Sequence, residues 1–390
     1  MWRKWLNQIE TGLLIILAGF IFLPNAFLPL ILVALLLLRA IAEPRNVIPS
    51  KQSMFLMIPA FITALSWALG GFESAGRTEV ELWGIAFGVF IYLQHRSDNK
   101  LHIFQQSFIV WSFLQALLLL TFLALTDPFG SFGFSQQVRD AIQNQFQIHP
   151  TYITAAWCWA LLLFWIKSKL KPSHKVWISV LFLFMIAITG GKMPLIALAI
   201  CAIICVIRQI TLPLKYRLAL LGVIPILVML IASTPVMQDR FSEIASLDMT
   251  YSEGQMLSSS ELRVGIWKCS IESILESPWF GAGIGNTRLT LENCFEHYQQ
   301  VEFFEGEYNS HNQFMHYWLA SGVLGVLILS IFFGYLLWTS LKSKNEILLY
   351  FLIYFLIISL TENYFSRQLG IMMWAFFIAG WTQKQCPLRS

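Results

Sequence analysis

A histidine flanked by amide and hydroxyl side chains stands where a polar stretch runs into an apolar one, in SHNQFMHYWLASGVLGVL at 310–327. The neighbours of His311 are Asn309, Ser310 and Asn312, whose donors and acceptors could fix the tautomer of the ring. Because an imidazole exchanges protons near neutral pH, His311 could accept a proton from a hydroxyl group. The alternative is a histidine at a membrane interface that makes a purely structural hydrogen bond.

Basic side chains on the same side of the protein are candidates for binding an anionic substrate: Lys192, Arg263, Arg288 and Arg367. Lys192, in TGGKMP between two short apolar runs, lies near membrane depth, where a cation lines a site or reaches out to the headgroups. Arg263 could present its planar guanidinium to two phosphate oxygens, or pair with Glu261. Arg367, in LTENYFSRQLG, could instead form a structural ion pair with Glu362.

Two further motifs could contribute to a site or serve only the fold. IHPTYIT places His149 and Tyr152 at the outer entrance of a predicted span, although Pro150 also suits the first turn of a helix. GAGIGN, at 281–286, has G-x-G-x-G spacing with Asn286 where a dinucleotide-binding motif needs glycine, and no strand precedes it. It predicts a turn that permits close backbone approach, or a backbone nest for oxygen or phosphate.

Metal ligation is not expected. His311 and His316 are five residues apart, not the four that would bring two rings to one ion on a helix, and no aspartate-rich cluster marks a divalent-cation site. His316 is expected to face the interior of the bundle in a structural role. No cofactor or metal is therefore predicted.

The composition places these residues in a membrane protein. The 390-residue chain is 57% hydrophobic and 12% charged, with 15 Trp and 32 Phe, which excludes a soluble globular protein. The predicted spans lie near 12–24, 27–41, 52–69, 81–94, 101–125, 151–166, 176–190, 193–207, 217–234, 315–338, 346–361 and 369–383. The first two could form one helix broken at Pro24, but basic residues on both flanks favour a hairpin. The first segment lacks a small-residue cleavage site, so it is expected to remain as an anchor.

The distribution of basic residues predicts the orientation. With the N-terminus inside, the predicted cytoplasmic segments hold 18 of the 26 Lys and Arg residues and the outer segments hold eight, so both termini are expected to be cytoplasmic. The expected fold is all-α, one integral membrane domain over 1–390 with about twelve transmembrane helices. A large periplasmic loop at 235–313, containing helices, separates the ninth and tenth. The net charge of +4 reflects this topology and gives no indication of nucleic-acid binding.

The large loop is strongly acidic. Residues 235–313 hold twelve acidic and four basic side chains, so any cation there is in the minority. A capping box at Ser258–Glu261 predicts a helix that ends at Ser277–Pro278. Outside this loop, residues 134–146 show helical apolar spacing and are expected to lie on the outer membrane surface.

Two cysteines, Cys269 and Cys294, lie in the large loop, whereas the others lie in predicted spans or in the C-terminal tail. In a periplasm they could form a disulfide that stabilises the loop by about 3–4 kcal/mol. The alternative is that Cys269 merely fills a buried helix face.

Over 261–327, four segments follow one another in the order found in the O-antigen ligase family: ELRVGIWKCS, SPWFGAGIGN, the SHNQF segment and ASGVLGVL. The chain is therefore similar to these bacterial inner-membrane glycosyltransferases, which include related O-antigen and capsule polymerases. The membrane topology extends the resemblance across the whole chain.

The resemblance implies roles for individual residues. His311 matches the family's loop histidine, proposed to act on the acceptor hydroxyl, and Arg263 matches a loop arginine thought to hold the lipid-linked pyrophosphate. Where the family has a Ser-Arg pair at the tip of the middle hairpin, this chain has Gly191 and Lys192, so the charge is kept and the bidentate fork is lost. The residues expected to bind pyrophosphate or glycan are Arg263, Lys192, Arg288, Asn312, Arg367, His149 and Tyr152.

The implied reaction moves a glycan from polyprenyl (undecaprenyl) pyrophosphate to an acceptor hydroxyl, such as that of lipid A core oligosaccharide, at the periplasmic face. It belongs to lipopolysaccharide or surface polysaccharide biosynthesis. Pyrophosphate is already a good leaving group, so cations and a base suffice, without ATP or metal and with inversion at the anomeric carbon. The expected partners are the donor, the lipid A core or glycan acceptor, and membrane lipids.

Three alternatives belong to other reactions or functional classes. A polymerase on the same scaffold would transfer the growing chain to another lipid-linked repeat unit. A polysaccharide transporter would carry charges deep inside several spans, whereas here the charges collect on the outer face and in the large loop. A structural membrane scaffold would carry no chemistry.

Overall fold

The computed structural model describes residues 2–24, 26–94, 98–125, 139, 142–144, 148–208, 213–233, 238, 259–296 and 308–380. The predicted surface helix at 134–146 lies largely outside these residues, as do most of the acidic side chains of the large loop. The fold of the described residues is all-α, as predicted, with two short 3-10 turns at Pro44–Val47 and Tyr364–Ser366.

Fifteen α-helices occur in the described residues: α1 Trp2–Ala18, α2 Phe27–Ala42, α3 Lys51–Phe55, α4 Ile58–Leu69, α5 Ser74–Leu93, α6 Asp98–Leu125, α7 Pro150–Lys167, α8 Pro172–Thr189, α9 Lys192–Arg208, α10 Leu214–Ala232, α11 Ser259–Glu276, α12 Thr287–Phe295, α13 Gln313–Lys342, α14 Glu346–Ile358 and α15 Gln368–Ile378. The first two are separate helices that pack against each other, as the hairpin interpretation requires. Helix α11 ends at the predicted boundary, and Ser258 of the proposed capping box lies outside the described residues.

Three of the described helices are long and apolar enough to cross a membrane: α6, α10 and α13. The number rises to four if the segments 44–55 and 58–69, which meet at 77°, form one bent span. Helices α2, α8, α14 and α15 are apolar but shorter. The protein is thus a membrane protein, and the count of twelve spans stays a prediction.

The chain divides into two compact units. Unit 1 comprises Met1–Val47, His95–Arg240 and Glu346–Ile358, and unit 2 comprises Ile48–Gln94, Phe241–Asn345 and Ser359–Ser390. Each contains sequence-distant segments, so each unit is held together by tertiary packing and not by chain continuity.

Unit 1 is built around α7, which is apolar on all sides and buried from Ile153 to Phe164. A helix of this composition is stable only when other helices surround it. Its Ala155 carbonyl accepts a hydrogen bond of 2.8 Å from the Tyr354 hydroxyl of α14. At the other end of α14, Glu346 forms a bidentate ion pair with Arg208, the last residue of α9.

Unit 2 is centred on α13, which packs against α4, α11 and α12. The apolar residues that join α11 and α12 to the start of α13 are Ile266, Cys269, Ile274, Leu291, Phe295 and Leu319. An aromatic cluster lies further along α13, where Phe333 contacts both Phe365 and Trp374. This framework positions the polar segment that precedes α13.

Candidate functional site

His311 has a backbone conformation that is uncommon for a residue with a side chain, with a φ of 44°. Neighbouring amides hold it there. The Asn309 side-chain oxygen accepts a hydrogen bond of 3.0 Å from the His311 N–H. Asn312 caps α13, accepting from the N–H groups of Phe314 and Met315 at 3.0 and 3.1 Å. Left-handed backbone at such a position is often associated with function, because the surrounding structure must stabilise it.

A carboxylate joins His311 to Arg263. One oxygen of Glu362 lies 3.4 Å from His311 Nδ1, and the other accepts a hydrogen bond of 2.9 Å from Arg263 Nη2. The His311 contact is electrostatic, because its angles are not those of a hydrogen bond. The Glu362 side chain is only 5% exposed, whereas His311 and Arg263 are 22% and 30% exposed. A buried carboxylate thus links two partly exposed groups from distant parts of the sequence.

The segment that carries Glu362 is fastened to the segment before α13. The Gln313 N–H donates to the Ser359 carbonyl at 2.9 Å, and the Phe365 N–H donates to the Gln313 side chain at 2.8 Å. Ser310 and Asn363, both fully buried, lie within hydrogen-bonding distance of each other. These bonds hold the histidine and the carboxylate in register.

The arrangement is chemically suited to proton acceptance. With Nδ1 turned towards the carboxylate, Nε2 points to the opposite side of the His311 ring. A carboxylate beside an imidazole orients the ring and stabilises the imidazolium that forms when Nε2 takes a proton. Arg263, held by the same carboxylate, places a guanidinium beside the histidine, where it can attract an anionic group.

A second histidine–carboxylate pair lies on α13. His316 Nε2 is 3.0 and 3.1 Å from the two oxygens of Glu79 on α5, and 3.4 Å from the Ser366 hydroxyl. The histidine is buried, in agreement with the expectation that it faces the interior of the bundle. Glu79 was not singled out from the sequence, because nothing near it in the chain marks its partner.

Helix α13 reverses direction at Gly322, whose φ and ψ of 66° and −169° are not helical. The rings of Phe314 and Phe333 are therefore 6.1 Å apart, although a continuous helix would separate these residues by roughly 28 Å along its axis. The first part of α13 thus lies beside the second part, as one arm of a hairpin.

Because of the hairpin, the start of α13 lies away from the turn at Gly322, further along the length of α5. On α5, Gly76 packs against Gly285 near the turn, and the ring of Trp83, two helical turns further on, contacts the ring of Phe365 at a tilt, with centroids 4.9 Å apart. Phe365 is bonded to Gln313. The segment containing His311 therefore lies on the order of 10 Å from the level of Gly322, measured along the axis of α5.

GAGIGN forms the close backbone approach that its glycines predict. Ala282 and Gly283 donate their N–H groups to the carbonyls of Leu319 and Ala320 at 2.7 and 3.0 Å, and Gly283 also packs against Gly70. A Cβ on Gly283 would collide with the Gly70 backbone. Two N–H groups of the motif therefore already donate to backbone carbonyls, as the turn interpretation requires. These two groups are not available to bind the oxygens of a phosphate.

Two other predicted cations of unit 2 lie on its surface. Arg288 is half-exposed and pairs with Glu292 one turn later at 2.6 Å. Arg367 is exposed and precedes α15, where its carbonyl accepts from the Ile371 N–H. The described ion pairs of Glu362 go to Arg263 and His311 and not to Arg367, so the predicted structural pair is replaced by the three-residue cluster.

The remaining predicted site residues belong to unit 1. His149 caps α7, where its Nδ1 accepts from the Thr151 N–H at 3.4 Å, and its ring meets that of Tyr152 edge-on at 6.3 Å. Lys192 begins α9, directly after a glycine turn whose Gly191 packs against Thr154. The helix-start role suggested by the sequence is therefore present for His149.

Cys269 and Cys294 form a disulfide that joins α11 to α12, which settles the alternatives left by the sequence. In the described part of the chain, these two cysteines and Glu272 form a group of three side chains whose types could bind a metal and whose ligand atoms lie close together. Because both sulfurs are bonded to each other, neither is available as a thiolate ligand.

Unit 1 also contains a cavity of about 660 Å³ between α6 and α7, lined in part by His102, Lys167 and Lys169. None of the site residues predicted from the sequence lines it. It is therefore a separate feature from the His311 cluster.

Residues 177–330 match the family model described as O-antigen ligase. The match supports an O-antigen ligase family assignment for this part of the chain. The matched region contains Lys192, Arg263, Arg288 and His311, while Glu362 and Glu79 lie outside it. No curated protein matches the sequence significantly. The match supports a ligase- or polymerase-like function in surface polysaccharide biosynthesis.

Proposed function

We propose that the protein transfers a glycan from a polyprenyl (undecaprenyl) pyrophosphate carrier to an acceptor hydroxyl, such as that of lipid A core oligosaccharide, at the periplasmic face of the bacterial inner membrane. The observation that carries the proposal is the cluster of His311, Glu362 and Arg263. It combines a base, a group that orients the base and a cation, which are what this reaction requires.

In the proposed mechanism, His311 Nε2 takes the proton of the acceptor hydroxyl as its oxygen attacks the anomeric carbon of the donor sugar. The bond between that carbon and the pyrophosphate oxygen breaks, and the electron pair leaves with the lipid-linked pyrophosphate. Attack from the face opposite the leaving group inverts the anomeric centre. Glu362 stabilises the imidazolium, and the proton is later released to solvent.

Arg263 is proposed to stabilise the charge that develops on the departing pyrophosphate. Its Nη2 is held by Glu362, so the cation is fixed before substrate binds, and preorganised charge stabilises a transition state more effectively than a mobile side chain. Lys192, Arg288, Arg367, Asn312, His149 and Tyr152 remain proposed contacts to the pyrophosphate or glycan. The reaction as proposed requires no metal ion, since pyrophosphate is a good leaving group and cations are supplied by side chains.

Two observations support the proposed location. The Cys269–Cys294 disulfide is typical of an oxidising compartment such as the periplasm. The Lys and Arg distribution favours the same orientation, with both termini cytoplasmic.

The alternative with the same chemistry is an O-antigen or capsule polymerase, in which the acceptor is another lipid-linked repeat unit. A non-enzymatic polysaccharide transporter is less well supported, because it would have no use for a base fixed between a carboxylate and an arginine.

The test is transfer in vitro from a polyprenyl-pyrophosphate glycan to lipid A core or to a second lipid-linked unit, with and without EDTA. His311→Ala is expected to lower the rate by about 10²–10⁴-fold, the usual contribution of a general base, while exposed His174→Ala stays active. Normal transfer by a folded and inserted His311→Ala protein would refute the proposed mechanism. The product distinguishes ligase from polymerase, and loss of activity in EDTA would contradict metal independence.

A further inference from the structure

Unit 2 has an exposed apolar surface where α11 turns towards α12, formed by Leu275, Trp279 and Phe280. These side chains are 72%, 65% and 70% exposed. Ile271, one turn before Leu275, extends the surface along α11 and is also exposed. Removing large apolar side chains from water is favourable, so a contiguous set of this kind indicates a surface that is covered in the native environment.

The turn that carries this surface is fixed to the hairpin of α13. The Val323 N–H donates to the Pro278 carbonyl at 2.8 Å, and Gly322 leaves space for the Trp279 backbone, into which any Cβ would project. The Ala282 N–H donates to Leu319 at 2.7 Å. Trp279 and Phe280 are therefore held at the level of Gly322.

Gly322 lies at one edge of a membrane-spanning length of helix. The second part of α13 runs from Gly322 to Lys342, and its roughly 30 Å equals the thickness of the hydrocarbon core. The large side chains exposed on its first half are aliphatic, namely Leu324, Leu327, Ile328 and Ile331, whereas Tyr335 and Trp338 are exposed nearer to Lys342. Since Lys342 marks the polar boundary at one end, Gly322 marks the other.

Helix α4 also ends at the level of Gly322, and its own contacts show this. It runs antiparallel to the second part of α13, with Phe55 just before it against Tyr335 at 5.1 Å and Ile62 beside Gly325. Ser66 then donates to the Ala320 carbonyl, next to the turn, at 2.6 Å. It ends at Gly70, which packs against Gly283. Beyond this glycine, Phe72 is exposed and meets Trp67 edge-on at 5.1 Å.

We propose that Leu275, Trp279 and Phe280 insert into the headgroup region of the lipid bilayer. The partner is lipid and not protein, because the surface continues into the exposed aliphatic faces of α4 and α13. Aromatic side chains from two separate segments also lie at this one level, as in the aromatic belts of membrane proteins. Glu276 is exposed beside Leu275 on α11, and its charge is expected to keep it in water. This surface acts independently of the transfer reaction.

The test is spin-label accessibility in vesicles of phosphatidylethanolamine and phosphatidylglycerol. Labels are attached to single cysteines introduced in a full-length protein whose non-disulfide cysteines have been replaced: Leu275→Cys, Trp279→Cys, Phe280→Cys and the control Glu276→Cys. Labels at the first three positions are expected to collide more often with membrane-soluble oxygen than with a water-soluble nickel chelate. The ratio is expected to reverse at position 276.

Each other outcome overturns the proposal. Nickel accessibility at 279 and 280 equal to that at 276 would mean that the surface faces water. Low accessibility to both reagents would mean that protein covers it. Leu275→Cys gives the same readout if a substitution at Trp279 or Phe280 prevents folding, and all readings are independent of glycan transfer.

Discussion

Glu362 is the residue that gives the candidate site its chemical character. Alone, His311 is an imidazole on a polar segment and Arg263 is a cation in an acidic loop. The buried carboxylate between them holds one at 3.4 Å and the other at 2.9 Å. A carboxylate with two partners from separate segments both orients the histidine and keeps the arginine beside it.

Glu362→Gln tests this role, because the amide keeps the shape of the side chain and removes its charge. The variant is expected to fold and to lose about tenfold or more in transfer rate, since the amide cannot stabilise an imidazolium. The measurement is initial rate of transfer as a function of pH. Glu292→Gln, which removes an exposed carboxylate paired with Arg288, is the matched control and is expected to retain its rate. Equal rates for the two variants would show that Glu362 has no part in catalysis.

At the scale of elements, the hairpin in α13 determines where His311 lies. Gly322 is the residue that allows it, because its positive φ and its contact with Trp279 exclude a side chain. The glycines of GAGIGN meet the same turn from the other side. Small residues thus set the position of the site without touching it.

Gly322→Ala is expected to destabilise unit 2 by at least about 1–3 kcal/mol, through the strained φ alone, with a further contribution from the collision with Trp279. The control is Gly334→Ala on the same helix, where an added Cβ meets nothing within 4 Å. Thermal unfolding in detergent gives the comparison. A Gly322→Ala protein as stable as Gly334→Ala would show that α13 does not reverse at this residue.

The disulfide stabilises α11, the helix that carries Arg263. It closes a loop of 25 residues between α11 and α12, for which the expected stabilisation is about 3–4 kcal/mol. Cys294→Ser should therefore lower the thermal midpoint in non-reducing conditions and make it insensitive to dithiothreitol. A midpoint in the parent protein that is unchanged by the reductant would mean that the bond does not contribute to stability.

At the scale of the whole molecule, the orientation in the membrane decides whether the proposed reaction is accessible to its substrates. In the proposed reaction the donor and acceptor meet at the periplasmic face, which requires that the loop at 235–313 face that side. The excess of Lys and Arg in alternate segments predicts that it does.

Reporter fusions test the orientation. A fusion at Gln255 is expected to activate a periplasmic reporter such as an alkaline phosphatase, whereas a fusion at Lys171 is expected to activate a cytoplasmic one. The two positions serve as controls for each other. A cytoplasmic reading at Gln255 would remove the basis for the transfer reaction.

The sequence by itself determined the class of the protein and most of the polar residues near the site. Apolar length, charge asymmetry and the spacing of glycine, proline and capping residues are local properties, and they predicted an all-α membrane protein, the boundaries of α11 and the close approach at GAGIGN. They also drew attention to His311 and Arg263, since a polar group beside an apolar run is visible in the chain itself.

Only the tertiary structure decided which groups meet. Glu362 is 99 residues from Arg263, and its partner was expected to be the nearby Arg367. Glu79 and His316 are 237 residues apart, and the reversal at Gly322 is hidden inside what reads as one continuous apolar helix. Partner choice across such separations depends on packing and on the direction in which each helix enters the unit, and neither is encoded in local spacing.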